Sequence, residues 1–503
     1  MRIPISPPPG ISSDDTGFAA PGTWEDGSNM RFRLGRPETI GGWTEALNGA
    51  ALSGVCRNIL TQSHGNGPVR VVFGTNQKLQ VWDNSELHDI TPAGLIVGSA
   101  DSTGETAGYG SGPYGLGAYG DPASTYFART WSLSTYGDWI IANPRGGTIY
   151  KWEGDSASAA MAVANAPSIV AFALTTPERQ VLAFGCNEEV SGDFNPLCIR
   201  GSDIEDITDW TTASDNNAFE HVLEGGGRIV AARIVGPAIA AWTDNGLHMG
   251  QFLGDPGQAY RFDLVSGHCG LIGPNAVAVV DQTAFWVGSD GQFYHWALGG
   301  VPQILPCPIH RDFFDNLDLI QRAKIVATTI GKFGEVWFFY PDVRDGAENS
   351  RYVAYSLSES RMAQRPIWFR GLLARTASAA AGALTKPVMT DAGGGVWHHE
   401  DAAGEAPPWH IKLSDQYADE GGRRMMLRSF VPDFEAQGSD VTLTVHARAY
   451  PADDPVEKAV AVPRGAAKRD FRASGRIIAA TLTGTGYTRI GKLLFDAVEM
   501  GRR

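Results

Sequence analysis

The sequence predicts an all-β protein whose body is a β-propeller, and three observations carry that prediction. The first is a recurring phrase in which a turn residue leads into an apolar residue, often an aromatic, and often a Trp: QKLQVW ends at Trp82, GTIYKW at Trp152 and GQFYHW at Trp296. GGVWHH, ending at His399, and DNGLHMG, around Asn245-Gly246, are weaker copies. Each follows a short apolar run, respectively VRVVFGT, DWIIANP, TAFWVGS, KPVMTDA and AIAAWT. A hairpin cannot bury its apolar face alone, so hairpins repeated at intervals of some tens of residues imply units stacked around an axis. The second observation is composition: 61 Gly, 29 Pro and 14 Trp suit many turns between large strand residues. The third is length, because 503 residues exceed one ordinary compact core and a propeller grows without dividing.

The chain begins with MRIPISPPPGISSDDTGFAAPGTWEDGSN, too rich in Pro, Gly and Ser to bury a core of its own. Residues 1–45 are therefore expected to form an extended N-terminal arm lying on neighbouring structure. Within it NMRFRLGRPETIGGW is basic and aromatic, and a strand there puts Arg31 and Arg33 on one face. Arg31, Arg33 and Arg36 are candidate subunit or adaptor contacts that would meet a partner's carboxylates. The alternatives are that they are solvated or paired within the chain.

Residues 46–415 are the expected propeller body. In GSDGQFYHW, Asp290-Gly291 is a strong two-residue hairpin signal, since both central residues of a type I′ turn take positive φ. That turn would set Val287 opposite Tyr294 and Phe285 opposite Trp296. The stretch 103 to 122 alternates Gly with Tyr, and Tyr109, Tyr114 and Tyr119 mark it as an adaptable loop for a partner or a mobile gate. HRDFFDNLDLIQRAKIVATTI, 310 to 330, carries apolar residues near helical spacing and predicts a helix packed between blades. From 416 to 503, VTLTVHARAYP and RIIAATLTG alternate like strands, predicting a C-terminal β segment that docks on or flanks the body.

Charge and motifs narrow the function. A formal charge of −14 argues against tight DNA binding and leaves weak DNA contact or repulsion open. No apolar run reaches the ~18 residues of a membrane span, and the N-terminus lacks a signal-peptide core, so a soluble chain made in the cytosol is expected. Five separated cysteines without a CxxC pair read as small buried hydrophobes. GSGPYG matches GxGxxG without a preceding strand, and GYTRIGKL matches a Walker A loop except that Leu493 replaces the magnesium-binding hydroxyl. HHED, 398 to 401, clusters potential metal ligands, but neighbouring strand residues point to opposite faces, and the cluster reads as a solvated blade edge. No catalytic residue, cofactor site or metal site is assigned.

Several longer phrases resemble the tail nozzle, or tail hub, proteins of short-tailed bacteriophages: WEDGSNMRFRLGRPETIGGW, HDITP, GSDIEDITDWT, WTDNGLHMGQFLGD and CGLIGPNAV. The resemblance runs from Trp24 to the terminal RIGKLLFD and is carried by structural phrases. It implies a propeller-containing ring, usually a homohexamer, in the virion tail, assembled in the bacterial cytoplasm. Such a ring hangs below a tail adaptor ring, docks fibres or spikes, retains packaged DNA, and touches the genome transiently and without sequence preference. It favours six blades, where the residues alone also allow seven. No enzymatic activity is implied. The competing classes are a virion-associated propeller enzyme that hydrolyses glycans and a carbohydrate-binding receptor module.

Overall fold

A computed structural model describes residues 2–63, 69–103 and 127–501. The recurring phrase is the hairpin between the second and third strands of a blade. In blade 1, Arg70–Thr75 and Leu79–Trp82 are flanked by Cys56–Gln62 inside and Leu87–Asp89 outside. Blade 2 repeats this with Trp131–Tyr136, Trp139–Pro144, Tyr150–Trp152 and Met161–Ala162. Blade 3 comprises Val170–Thr175, Val181–Asn187, Phe194–Gly201 and Phe219–Val222, and blade 4 Ile229–Val235, Ala238–Thr243, Leu247–Asp255 and Gln258–Ser266. Blade 5 comprises Val277–Val280, Thr283–Val287, Phe293–Ala297 and Gln303–Ile304, and blade 6 Val326–Ile330, Glu335–Pro341, Asn349–Ser356 and Trp368–Leu372. Blade 7 takes Ala377–Ala379, Val388–Thr390 and Val396–Asp401 from the end of the body, and its outermost strand, Gly42–Glu45, from near the N-terminus. The innermost strands of blades 7 and 1 pack together and close the ring.

The described residues thus form a β-propeller of seven blades, where six were favoured. Blades 3 and 6 carry no copy of the phrase: their third strands are FNPLCIRG and NSRYVAYS, without a terminal Trp. In blade 3 the missing indole is supplied by Trp210, which is fully buried beyond the strand. Elsewhere the phrase's large residues pack inside the body. Trp152 and Trp296 are each at most 2% exposed. Between blades, Trp131 donates its indole N–H to the Thr75 carbonyl at 2.7 Å, and Gly74 lies so close that a Cβ would fall 2.5 Å from the Trp131 ring. Trp242 and Trp286 meet with ring centroids 5.5 Å apart between blades 4 and 5.

The Asp290-Gly291 hairpin exists, but its register differs from the expected one. Val287 pairs with Phe293, and Trp286 with Tyr294. The loop holds three residues, Ser289 to Gly291, closed by Gly288 N–H to Gln292 C=O at 2.7 Å, and within it only Gly291 takes positive φ (+81°). A three-residue turn of this kind spares Asp290 the left-handed conformation that type I′ would demand, and the one-residue slip exchanges the strand's faces. The long helix expected over 310 to 330 is likewise replaced. A five-residue helix, His310–Phe314, is followed by a bridge from Leu317 to Asp342, a 3-10 turn at Arg322–Lys324 and the first strand of blade 6. Its apolar spacing served two environments: Phe313 is buried, while Leu319 and Ile320 are exposed.

The N-terminal arm does not lie loosely on the surface. Arg2–Ile5 pairs with Leu493–Met500, Trp24–Ser28 with Trp409–Tyr417, and the hairpin Met30–Arg33/Arg36–Thr39 reaches Thr488–Ile490 through Glu38 opposite Arg489. These strands complete the sheets formed by residues 409–500, so a second β-domain is built from both chain ends. Between those strands the arm touches the propeller: Ile11 N–H donates to Trp368 C=O at 2.9 Å, and Asp14 accepts from the backbone of His310 and Arg311 at the start of the short helix. One apolar core runs from blades 3–6 into this domain, with Trp24, Phe32, Leu443 and Phe495 among its members. Four of the five cysteines are buried and all are free thiols.

Candidate functional site

Charge gathers at several places inside this framework, the Arg344–Asp342–Arg351 network of blade 6 among them, and two of these bear on function. The first is the seam between the β-domain and the propeller. Arg31, on the strand Met30–Arg33, is 1% exposed and faces inward. Its Nε and Nη2 donate to the two carboxylate oxygens of Glu335 in blade 6, both at 3.0 Å, and its Nη1 and Nη2 to Glu400 in blade 7 at 2.8 and 2.6 Å. Phe333 covers the guanidinium at 3.8 Å. Burial alone would lower the pKa of Arg31; the two carboxylates outweigh it and hold the group above the ordinary arginine range. Burial pushes Glu335 up, with Arg31 opposing and Glu400 adding to the rise. The expectation that Arg31 meets a partner is therefore corrected: it pairs within the chain, because the strand turns this residue into the seam. Arg33 lies on the same face nearer the edge, 53% exposed, 3.9 Å from Glu38 and 5.7 Å from the Phe333 centroid, and Arg36 is exposed beyond the Leu34-Gly35 turn.

The HHED cluster belongs to the same region and is no solvated edge. Glu400 completes the triad, and Asp401 accepts from Thr44 and Lys386, both at 2.7 Å. His399 is buried against Trp43 with ring centroids 5.4 Å apart, and its Nε2 accepts from Arg375 Nε at 2.8 Å. Burial, then Arg375, then His398 lower its pKa well below the ordinary value, so it is a neutral imidazole.

The second place is the mouth of the propeller axis, at the end where the innermost strands begin. One side is filled by residues 99–103 of the long connection between blades 1 and 2. Arg57 Nη2 donates to Ala100 C=O at 2.8 Å, Lys324 Nζ lies 2.5 Å from Asp101, and Gln321 exchanges two hydrogen bonds with the Ser102 backbone. Asn275 Nδ2 reaches from the entry to blade 5 to the Arg57 carbonyl of blade 1 at 2.8 Å, bridging two blades that are not neighbours in the ring. Ala128 N–H donates to Ser102 Oγ at 2.9 Å, so both stems of the Gly-Tyr connection meet here. Tyr109, Tyr114 and Tyr119 themselves lie outside the described residues.

The other side of the mouth holds a cavity of about 340 Å³ lined by Phe127, Arg145, Arg228, Asp244, Leu271, Pro274 and Arg322, among others. Arg145 follows the second strand of blade 2, and its Nη1 donates to the Val230 carbonyl at 2.8 Å. Arg228 precedes blade 4, its guanidinium 5.0 Å from the Phe127 centroid; Arg322 lies 5.6 Å from the same ring. Asp244 is held at the rim, its Oδ1 accepting from the Gly227 and Arg228 backbone N–H groups at 2.8 and 3.3 Å. Burial, with the neighbouring charge of Arg228, lowers Arg145 to about 10. Sequence reasoning missed this site because Arg145, Arg228 and Arg322 share no local motif; each sits beside a blade's edge, and only ring closure gathers them.

No family model matches the chain, and no curated protein matches it. Among solved structures, the WD40 beta propeller domain of Doa1 is 9% identical, with a TM-score of 0.40, over 72% of this chain and 97% of that one. BBS1N, solved in complex with ARL6DN, is 10% identical, with a TM-score of 0.40, over 73% and 99%. The computationally designed Ika8 protein is 13% identical, with a TM-score of 0.37, over 78% and 99%.

Proposed function

We infer that this chain is a structural subunit of the distal tail ring of a short-tailed bacteriophage, assembled in the host cytoplasm and carried in the virion. The observation that carries the reading is the placement of WEDGSNMRFRLGRPETIGGW, the longest phrase shared with tail nozzle proteins. It supplies strands Trp24–Ser28, Met30–Arg33 and Arg36–Thr39 to the β-domain and Gly42–Glu45 to blade 7. The residues that carry the resemblance are thus those that lock two domains into one body, as a ring component under mechanical stress requires.

The Asn275–Arg57 bond spans blades 5 and 1, which are not neighbours in the ring, and this supports a path for duplex DNA outside the subunit. The bore lies between copies, six in the ring. Acidic subunits suit it, because screening over ~8 Å lets only groups lining the bore act on passing phosphates, and repulsion keeps the genome from sticking. Contact with the genome is transient and non-specific. Docking to the adaptor ring falls to the exposed hairpin tip with Arg33, Leu34 and Arg36, and the fibres or spikes dock elsewhere on the ring. No reaction is assigned. A glycan hydrolase would need two carboxylates ~5–9.5 Å apart in a groove; Asp244 is the one carboxylate among the axial cavity's described lining residues, and Asp312 and Asp315 of a second groove are paired with Arg344, Arg370 and Arg311.

Electron microscopy of particles carrying a labelled copy of this chain tests the proposal. Label at the distal tip of the tail is the expected result, and label on the capsid or absent from particles overturns it. Purified protein should show negligible affinity for duplex DNA at physiological salt.

A further inference from the structure

We propose that the cavity at the mouth of the propeller axis is a phosphate-binding site, taking inorganic phosphate or the phosphate group of a small monoester. Among its described lining residues the cavity has the guanidinium groups of Arg145, Arg228 and Arg322 and the single carboxylate of Asp244, inside a protein whose formal charge is −14. Among the described residues no carboxylate lies within ion-pair distance of the Arg145 or Arg228 guanidinium; Arg145 donates to main-chain carbonyls and Arg228 lies on Phe127. Asp244 is turned to the backbone N–H groups of Gly227 and Arg228, and among the described residues it forms no ion pair with the Arg145 or Arg228 guanidinium.

The arginine side chains are positioned by parts unrelated to any bound anion. Arg145 is anchored by the Val230 carbonyl, and Arg322 by its Nη1 bond to the Leu319 carbonyl at 3.0 Å, while Phe127 carries the guanidinia of Arg228 and Arg322. Preorganised forks of this kind match the oxygen geometry of phosphate, and arginine stays charged even where burial disfavours it. Burying Arg145 beside the like charge of Arg228 has a cost, which a bound dianion relieves. At about 340 Å³ the cavity has room for a phosphate with a small organic group against Leu271, Ile272 and Pro274. The site is independent of the tail reading, since it rests on one subunit's own blades.

The test is titration of the full chain at constant ionic strength with inorganic phosphate, pyrophosphate or adenosine 5′-monophosphate, read by calorimetry and by thermal shift, with chloride as the control. Saturable binding is expected, with affinity at least tenfold weaker in Arg228→Gln and unchanged in Arg261→Gln, whose side chain is exposed and paired with Asp263. Affinity should rise as the phosphate loses its second proton, near pH ~6 for a monoester. Preference for the nucleotide identifies an organic ester as the ligand, and preference for inorganic phosphate a free ion. Arg145→Gln should weaken binding further; if its lost main-chain bonds prevent folding, Arg228→Gln carries the test alone. No saturable binding of any of the three, or equal affinity in Arg228→Gln, overturns the proposal.

Discussion

Arginine is completed in opposite ways at the seam and at the axial mouth. At the seam one guanidinium meets two carboxylates and an aromatic cover, and every strong donor direction is used within the chain. At the mouth, among the described residues, the Arg145 and Arg228 guanidinia have no carboxylate within ion-pair distance, and Asp244 is itself engaged by backbone. The difference follows from the elements that deliver the side chains. The seam joins an N-terminal strand to the second strand of blade 6 and the third of blade 7, whose registers bring Glu335 and Glu400 to one point. The mouth gathers turns from different blades, which converge on the axis whatever charge they carry. A buried charge is paired or it is costly. The seam is therefore read as structural and the mouth as open to a ligand.

The most severe way to break the comparison is to remove the whole stitch. Deleting residues 1–30 takes away two strands of the β-domain together with Ile11 and Trp24, which are 0% and 1% exposed. Each such side chain contributes ~1.5–3 kcal/mol by burial, and its strand partners would be left as unpaired edges. The truncated chain is expected to lose the fold of residues 409–500 and to aggregate, as measured by circular dichroism and size-exclusion chromatography. A monodisperse truncated protein with full strand content would show that the arm only covers the surface.

Next in size is Arg31→Met, which leaves Glu335 and Glu400 buried without their cation. Breaking a buried pair by removing one partner costs ~3–5 kcal/mol, so a loss of that order in unfolding free energy is expected from denaturant titration. Converting both carboxylates to Gln in the Met background should recover a large part of it. A cost below ~1 kcal/mol for Arg31→Met would mean that the seam opens to water in solution.

The legible and illegible parts of the fold divide along the same line between local and distant. The phrases ending at Trp82, Trp152 and Trp296 announced hairpins because turn chemistry and alternation are local, and each is the second hairpin of a blade. Blades 3 and 6 were silent, since Trp210 fills the first from outside its strand and Trp368 of blade 6 lies on the fourth strand rather than the third. The arm was illegible for another reason. Pro and Gly content forbids an independent core, but it does not forbid strands that pair with residues more than 380 positions away, as Trp24 does with Leu413. Arg31 shows both sides: alternation placed it on a face, and nothing local said that the face looks inward. The mouth needed the closed ring before its three arginines had any relation.

Arg375 supplies a third case, in which the acceptor is a neutral imidazole, and its prediction concerns pH. The pKa of His399 is lowered in the folded state, so the folded chain binds fewer protons there than the unfolded chain does. Its contribution is complete above the unfolded value of ~6.5 and is lost as pH falls through that value toward the depressed folded one. Protonation would also set a cation against Arg375, whose own pKa burial lowers to about 10. Between pH 7.5 and 5.5 the wild type is expected to lose stability, and His399→Gln should remove about one proton's share of that slope, at most ~1.4 kcal/mol per pH unit. An unchanged slope in the variant would assign the acid sensitivity to the other histidines with lowered pKa values, His221, His248, His295 and His398.

The smallest effect is expected where an arginine pairs in water. Arg261 and Asp263 approach to 2.8 Å on the outer strand of blade 4, with side chains 53% and 49% exposed. The Coulomb gain there is set by a high dielectric and is offset by the entropy of holding two long side chains, so exposed pairs contribute ~0.2–1 kcal/mol. Arg261→Gln should therefore change unfolding free energy by less than ~1 kcal/mol, and the change should shrink further between 0.05 and 0.5 M salt as the screening length falls. Arg31→Met measured over the same salt range should vary far less, because its partners are shielded from the ions. Equal salt sensitivity of the two variants would mean that water reaches the seam as freely as the outer strand, and the contrast between the arginine environments would then lie in geometry alone rather than in burial.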